Sequence, residues 1–293
     1  MSIPTQPPAL PNACTPSSSS SASHQGRYVL VFGSGHCGTR WIAHALHRPE
    51  HGMAFHHEQK YKMVHEQHQI VNPWGYCYRY EMEHGLGPLY DDYWRFIKVE
   101  LKEYRVVGDS VSWLPVRIPE IEANHLPIDR GIFLVRNGIQ TVHSIFKHSK
   151  TIPIDNNMFM KLASDYRQLF PQNNAKYSYE YVKWVHDCAL WHDTSIIYER
   201  DLRQSLGPER LICLRLEDVT SNGDVFLKLL LELDPESDIT SEEIGDIQKT
   251  DVNRKVQGSR EPELIWREWS EPQKGIFNHI CGEAMTYFGY TMP

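Results

Sequence analysis

Tyr28-Val29-Leu30-Val31-Phe32, then Gly33-Ser34-Gly35-His36-Cys37-Gly38-Thr39, then Arg40-Trp41-Ile42-Ala43-His44-Ala45-Leu46, is the stretch that decides how this chain is read. The first segment is a short continuous apolar run, the pattern of a strand covered on both faces in a parallel sheet. Trp41, Ala45 and Leu46 share one face of a helical repeat. The unit is strand, glycine-rich loop, helix. Glycines let the loop turn tightly and bring backbone N–H groups onto an oxyanion. The helix aims its positive end at the same point. Thr39 adds a hydroxyl, and His36 and Arg40 add positive charge, so the loop reads as a phosphate or sulfate cradle. It is not a Walker A loop, which needs Lys after the second glycine; Thr39 follows Gly38. Gly33 to Gly38 also fits GxGxxG, and Glu58 lies 20 residues past Gly38. A Rossmann-type nucleotide-binding oxidoreductase therefore stays open as an alternative.

Outward from this unit, strands are expected at Met53–His57, Tyr104–Asp109, Gly131–Val135 and Leu211–Leu216. Helices are expected at Asp91–Glu103, Pro115–Ala123, Gly138–Lys147, within Tyr179–Arg203, at Asp224–Leu233 and at Pro272–Phe288. Residues 73–96 are rich in aromatics and glycine and receive no assignment as a whole. Strands alternating with helices imply an α/β fold, three layers with a central, mostly parallel sheet. Ligands of such sheets bind outside the carboxyl ends of the strands.

The chain has 293 residues, with 30 Lys+Arg against 37 Asp+Glu, a net charge of -7. It lacks the basic excess of a nucleic-acid or anionic-membrane binder, so neither partner is expected. Cys14, Cys37, Cys77, Cys188, Cys213 and Cys281 form no CxxC pair and read as free thiols of a reducing compartment. With no long apolar run and no leader pattern, the expected location is cytoplasmic. The Pro- and Ser-rich start is expected to be a disordered tail over residues 1–26, leaving 27–293 as one domain. The 16 His raise the question of a metal. His56, His57, Glu58, His65 and His68 are the densest group, but HExxH is absent and no metal is expected.

A second anion site is suggested after the strand ending at Val135. Arg136 leaves its carboxyl end, and Ser144 stands eight positions later on the next helix. An Arg fork and a hydroxyl on adjacent turns suit a second phosphate.

Together the two loops resemble the sulfotransferases that use 3′-phosphoadenosine 5′-phosphosulfate (PAPS). That family's 5′-phosphosulfate loop is similar to His36-Cys37-Gly38-Thr39-Arg40-Trp41, and its 3′-phosphate pair to Arg136 and Ser144. Leu216-Glu217-Asp218 looks like the family's motif at the end of its last core strand. Gly108-Asp109-Ser110, before Trp113-Leu114-Pro115, is similar to the segment preceding the 3′-phosphate strand. Arg254-Lys255, Trp266, Trp269, Gln273 and Gly289-Tyr290 are similar to its tail. The resemblance runs from about Tyr28 to Tyr290 and implies a P-loop-like sulfotransferase architecture. It implies PAPS as donor and PAP (3′-phosphoadenosine 5′-phosphate) as product, held by Gly35, His36, Cys37, Gly38, Thr39, Arg40, Trp41, Arg136, Ser144, Arg254 and Lys255. The family has Lys or Arg where His36 stands, and Cys37 and Arg40 replace its usual hydroxyl residues.

Sulfuryl transfer needs charge stabilisation at the phosphosulfate and a base for the acceptor's proton. By the same resemblance the base follows the second or third strand, in the order of preference Glu58, His57, Asp109. His36 is the catalytic cation. The acceptor is a hydroxyl or amine, by default of a small molecule. A family member that binds PAPS or PAP without catalysing is a further alternative, resting on His36. The aromatics Trp74, Tyr76, Tyr78, Tyr80, Tyr90, Tyr93 and Trp94 read either as an acceptor pocket or as packing over the core.

Overall fold

The structure is a computed structural model describing residues 26–33, 35–110, 115–148, 179–250 and 260–293, without the side chains of 74, 75 and 179. The expected tail up to residue 25, Ser34, Trp113-Leu114 and Arg254-Lys255 lie outside the described residues. Gly26, the first described residue, donates its N–H to the carbonyl of Leu101.

The strands are β1 (Arg27–Gly33), β2 (Met53–His57), β3 (Val106–Ser110), β4 (Arg130–Val135) and β5 (Leu211–Arg215). They form one parallel sheet in the order β2-β3-β1-β4-β5. The helices, in chain order, are α1 (Thr39–Leu46), α2 (Gln59–His68), α3 (Pro73–His84), α4 (Asp91–Glu100), α5 (Ile118–Asn124) and α6 (Gly138–His148). They continue with α7 (Tyr179–Leu206), α8 (Leu216–Ser221), α9 (Gly223–Leu233), α10 (Ser241–Lys249), α11 (Pro262–Glu268) and α12 (Glu271–Tyr287).

Strand alternation divides the core in two. Tyr28, Leu30, Phe32, Val107 and Phe133 face one side, under α2, α4, α5, α6, α7 and α12. Val29, Val31, Phe55, Ile132 and Leu134 face the other, under α1, α9 and α10. The architecture is three layers, α/β/α, as the alternating pattern implies. Among the described residues no helix is long and apolar enough to cross a membrane.

The sheet order overturns the Rossmann alternative. In both common nucleotide-binding orders, 3-2-1-4-5-6 and 2-1-3-4-5, β2 lies beside β1. Here β3 stands between them, so Glu58 ends an edge strand rather than the strand next to the glycine loop. The same order opens a crevice. The helix after β1 covers one face, whereas those after β3 and β4, its two neighbours, cover the other. The loops part at the carboxyl end of β1, which is where a ligand site forms.

Residues 73–96, left unassigned from sequence, hold α3, a 3-10 turn at Pro88–Tyr90 and the start of α4. Cys77 and Glu81 are buried on α3, while Tyr78 and Met82 point outward, so apolarity does not track the buried face. Tyr90, Tyr93 and Trp94 belong to the core.

Candidate functional site

Gly33 leaves β1 so close to its neighbours that a Cβ there would meet Cys37 Sγ at 2.4 Å and the Leu134 carbonyl at 2.7 Å. Gly38 precedes α1 with φ +95°, a left-handed conformation that side chains rarely adopt. A Cβ at Gly38 would press on Leu216 at 2.6 Å. The loop is thus locked onto the end of β5. No side chain caps α1. Cys37 is fully buried, and Trp41 packs edge-on to Phe226 in the core. These two hold the loop from beneath, whereas Gly35, His36 and Arg40 are exposed. His36 adopts φ 65°, a strained conformation for a residue with a side chain.

The second anion motif lies directly against the first. His36 Nδ1 and Ser144 Oγ are 2.9 Å apart, and Arg136 Nη1 donates to the His36 carbonyl at 3.1 Å. Asn137 caps α6 through its side-chain oxygen, which accepts the Ile139 N–H at 2.9 Å. Gly138 lies under the Trp191 ring, which a Cβ would meet at 2.8 Å. Glu217, at the start of α8, accepts the Asn137 N–H at 3.0 Å and the Tyr290 hydroxyl at 2.8 Å. Arg215 ties the tail further, pairing with Asp218 and donating to the Gly289 carbonyl. The motif ending β5 and the C-terminal Gly-Tyr therefore meet the Arg136 loop. Gln140 binds the Arg260 carbonyl at 2.7 Å, and Trp269 donates to His143 at 3.4 Å.

The charges that act on His36 are mostly positive. His36 is exposed at its surface but partly desolvated by its neighbours, which lowers its pKa; His148 and Arg136 lower it further, while Asp187 opposes them. The His148 ring stacks on His36 with centroids 6.4 Å apart. From α7, Lys183 donates to the Phe146 carbonyl and to Asp187, which is fully buried and also contacts His186. Burial also lowers the pKa of Arg136, opposed by Glu217. Sequence reading missed His148, Lys183 and Asp187. The one available signal was a Lys and an Asp four apart inside a buried helix face.

The residues preferred as the base separate onto the two faces of the sheet. Register pairs His57 with Ser110 and His56 with Asp109. His57 and Ser110 lie on the α1 side, where His57 Nδ1 is 2.7 Å from Ser110 Oγ and Nε2 is 3.2 Å from Glu58 Oε1. The His57 pKa is pushed down to about 4 by burial, with Lys62 and Arg40 adding to it. Glu58 follows β2 with φ 58°, the second strained residue among the candidates. Ser110, quoted in sequence without a role, is the unanticipated member of this group.

Asp109 lies on the opposite face and has no exposed surface. Burial raises its carboxyl pKa to about 6, against smaller opposing effects of His56, the Gln59 N–H, Tyr93 and Lys60. Lys60 is itself buried, paired with Glu81 at 2.8 Å. The surroundings of Asp109 are core, away from the group around Arg40. The His-rich stretch is likewise dispersed: His56 pairs with Glu100 at 2.8 Å, and His65 Nδ1 donates to the Ile70 carbonyl. Among the described residues, no three His, Cys, Asp or Glu side chains are grouped to hold a metal ion.

No protein-family model and no curated protein matches the chain. Its likeness is to solved sulfotransferase structures. The sulfotransferase domain from the curacin biosynthetic pathway is 14% identical, with a TM-score of 0.48, covering 92% of this chain and 99% of that one. The sulfotransferase domain of the Synechococcus PCC 7002 olefin synthase is also 14% identical, with a TM-score of 0.48, covering 94% and 100%. Mouse sulfotransferase SULT7A1, solved with PAP, is 12% identical, with a TM-score of 0.41, covering 89% and 85%.

Proposed function

We propose that the chain is a sulfotransferase that moves a sulfuryl group from PAPS to a hydroxyl or amine of a small acceptor. One observation carries this reading: Arg136 and Ser144 are hydrogen-bonded onto the glycine loop through His36. Two anion-binding segments read separately in sequence lie side by side, an arrangement that suits a nucleotide charged at both its 5′ and 3′ ends. No part of a dinucleotide site calls for that pair.

In this reading the loop amides, Thr39 and Arg40 face the phosphosulfate, and Arg136 with Ser144 takes the 3′-phosphate. Arg254 and Lys255 are assigned to the same nucleotide by the resemblance. The acceptor oxygen or nitrogen attacks sulfur in line. The S–O bond to the phosphate breaks, its electron pair stays on the bridging oxygen, and PAP leaves. The acceptor's proton goes to the His57–Glu58 pair. The Glu58 carboxylate takes it, positioned by the neutral His57 imidazole that Ser110 holds from its other nitrogen. His36 and Arg40 offset the charge on the bridging oxygen.

Transfer of radiolabelled sulfate from PAPS to a panel of alcohols, phenols, amines and sugars tests the reading. Labelled product is expected with at least one acceptor. PAP should bind more tightly than AMP or NAD. Preferential binding of NAD would refute the nucleotide assignment. Tight PAP binding without transfer would favour the second reading, a PAP-binding protein that does not catalyse. The observation behind that alternative is the partial desolvation and cationic company that lower the pKa of His36.

A further inference from the structure

We propose that a nucleotide with anions at both ends drives a proton onto His36, and that Ser144 links the two anion sites. The inference rests on the nucleotide reading above and goes beyond it, because it assigns the pair a coupling rather than two separate contacts.

The geometry is specific. His36 Nδ1 is 2.9 Å from Ser144 Oγ, which leaves Nε2 as the ring nitrogen for an anion in the loop. A serine hydroxyl has one proton to donate and two lone pairs. Once it donates to a 3′-phosphate, it can only accept from the imidazole, so Nδ1 must carry hydrogen. An anion in the loop requires hydrogen on Nε2 as well. Both nitrogens protonated is the imidazolium. With a single anion bound, one tautomer of the neutral ring satisfies either contact. Only the doubly charged ligand excludes both neutral tautomers.

The surroundings disfavour the charged ring until then. His148 stacks on it from α6, Arg136 binds its carbonyl, and Lys183 approaches from α7. Asp187 is the opposing carboxylate, and it is already bound to Lys183 and His186. In the free protein partial desolvation and these cations lower the pKa of His36. A bound bisphosphate reverses the balance. The cation that the loops this chain's loop resembles hold permanently as Lys or Arg would here be created by the donor. The free loop would then carry one positive charge fewer, so single anions such as phosphate gain less from binding it.

The test is isothermal titration calorimetry of the full chain at pH 8, with PAP, in two buffers of different ionisation enthalpy. At that pH the phosphates of PAP are fully ionised and take up almost nothing themselves, since their second pKa is about 6. Uptake approaching roughly one proton per PAP is expected, and less than half as much with AMP or adenosine 3′-monophosphate. His36→Asn should bind PAP without proton uptake, and Ser144→Ala should bind it with reduced uptake. PAP binding with no uptake, or with unchanged uptake in His36→Asn, would overturn the proposal while leaving the nucleotide reading intact. Absence of PAP binding to the unaltered chain would overturn both. If His36→Asn does not fold, nitrogen-15 shifts of His36 decide. Both ring nitrogens must show the protonated value with PAP, and one unprotonated nitrogen refutes the coupling.

Discussion

Arg136→Ala tests the nucleotide site most directly, because its two structural roles predict different losses for different ligands. In the free protein the guanidinium donates to the His36 carbonyl at 3.1 Å and lies near Gln140 Oε1 at 3.4 Å. It is half-buried, and burial lowers its pKa without bringing it near neutrality. A charged hydrogen bond to phosphate is worth about 1.5–3 kcal/mol. At about 1.4 kcal/mol per tenfold, loss of that bond weakens PAP binding roughly 10- to 150-fold. The bond to the His36 carbonyl only shapes the loop. Its loss, about 0.5–1.5 kcal/mol, falls on every loop ligand alike and weakens AMP roughly 2- to 10-fold.

The expected signature is therefore a ratio. In Arg136→Ala the Kd for PAP should rise at least about tenfold more than that for AMP. Arg136→Lys, which keeps the charge but not the fork, should fall between. Calorimetry or thermal-shift titration with both nucleotides measures this, and the unliganded Tm reports any general loss of stability. Glu217 keeps its bonds from Asn137 and Tyr290 in the variant, so the fold should survive. Equal losses for PAP and AMP would refute the assignment of Arg136 to the 3′-phosphate.

Gly38→Ala should destabilise the fold by about 1–3 kcal/mol, because the residue is left-handed and its Cβ would press on Leu216. Gly35→Ala has nothing within 4 Å of its new methyl and should leave Tm nearly unchanged; equal effects of the two would refute this account of the loop. Asp109 offers a pH test: its folded pKa is raised to about 6, so the unfolded chain ionises first as pH rises. The contribution of Asp109 to stability therefore falls between about pH 4 and 6 and is level above, a loss on the order of 3 kcal/mol. Asp109→Asn lacks that loss, so urea denaturation should show its stability rising relative to the unaltered chain between pH 4 and 7. Parallel profiles would show that Asp109 is not held as described.

Much of the sheet was legible because β1 and β4 are continuous apolar runs, as a strand buried on both faces is written, and β5, a partly buried edge strand, is nearly as apolar. Their bounds differ from expectation by a residue or so: Leu216 opens a helix rather than ending a strand. The glycine loop was legible as an anion cradle, and Arg136 as a strand-end residue, because both are local. What could not be read was strand order. GxGxxG and Glu58 fit two folds equally until β3 is found between β2 and β1. Nor could sequence say which face each candidate base takes. His57 and His56 differ by one position, and that single step sends one to Ser110 and the other to Glu100. The helices α2, α3, α10 and α11 escaped because their buried positions are few or polar, as with Lys60 and Glu81.

The difference between His36 and the cation of the loops this chain's loop resembles takes on a different meaning once strand order is known. Because β1 and β4 are neighbours, the loop after one and the helix after the other must lie together. A residue at His36 is within reach of α6 whatever its identity, and here it is a histidine facing a serine and a second histidine. A fixed Lys or Arg at that point would stand among Arg136 and Lys183 with Asp187 already engaged, and the unliganded loop would carry its repulsion at all times. An imidazole whose pKa these neighbours lower carries less of that repulsion. The net charge of -7 reinforces the point. The chain does not attract polyanions broadly, so under the proposal its affinity for one is concentrated where β1 and β4 end. A titratable cation would confine that affinity further, to ligands able to protonate it.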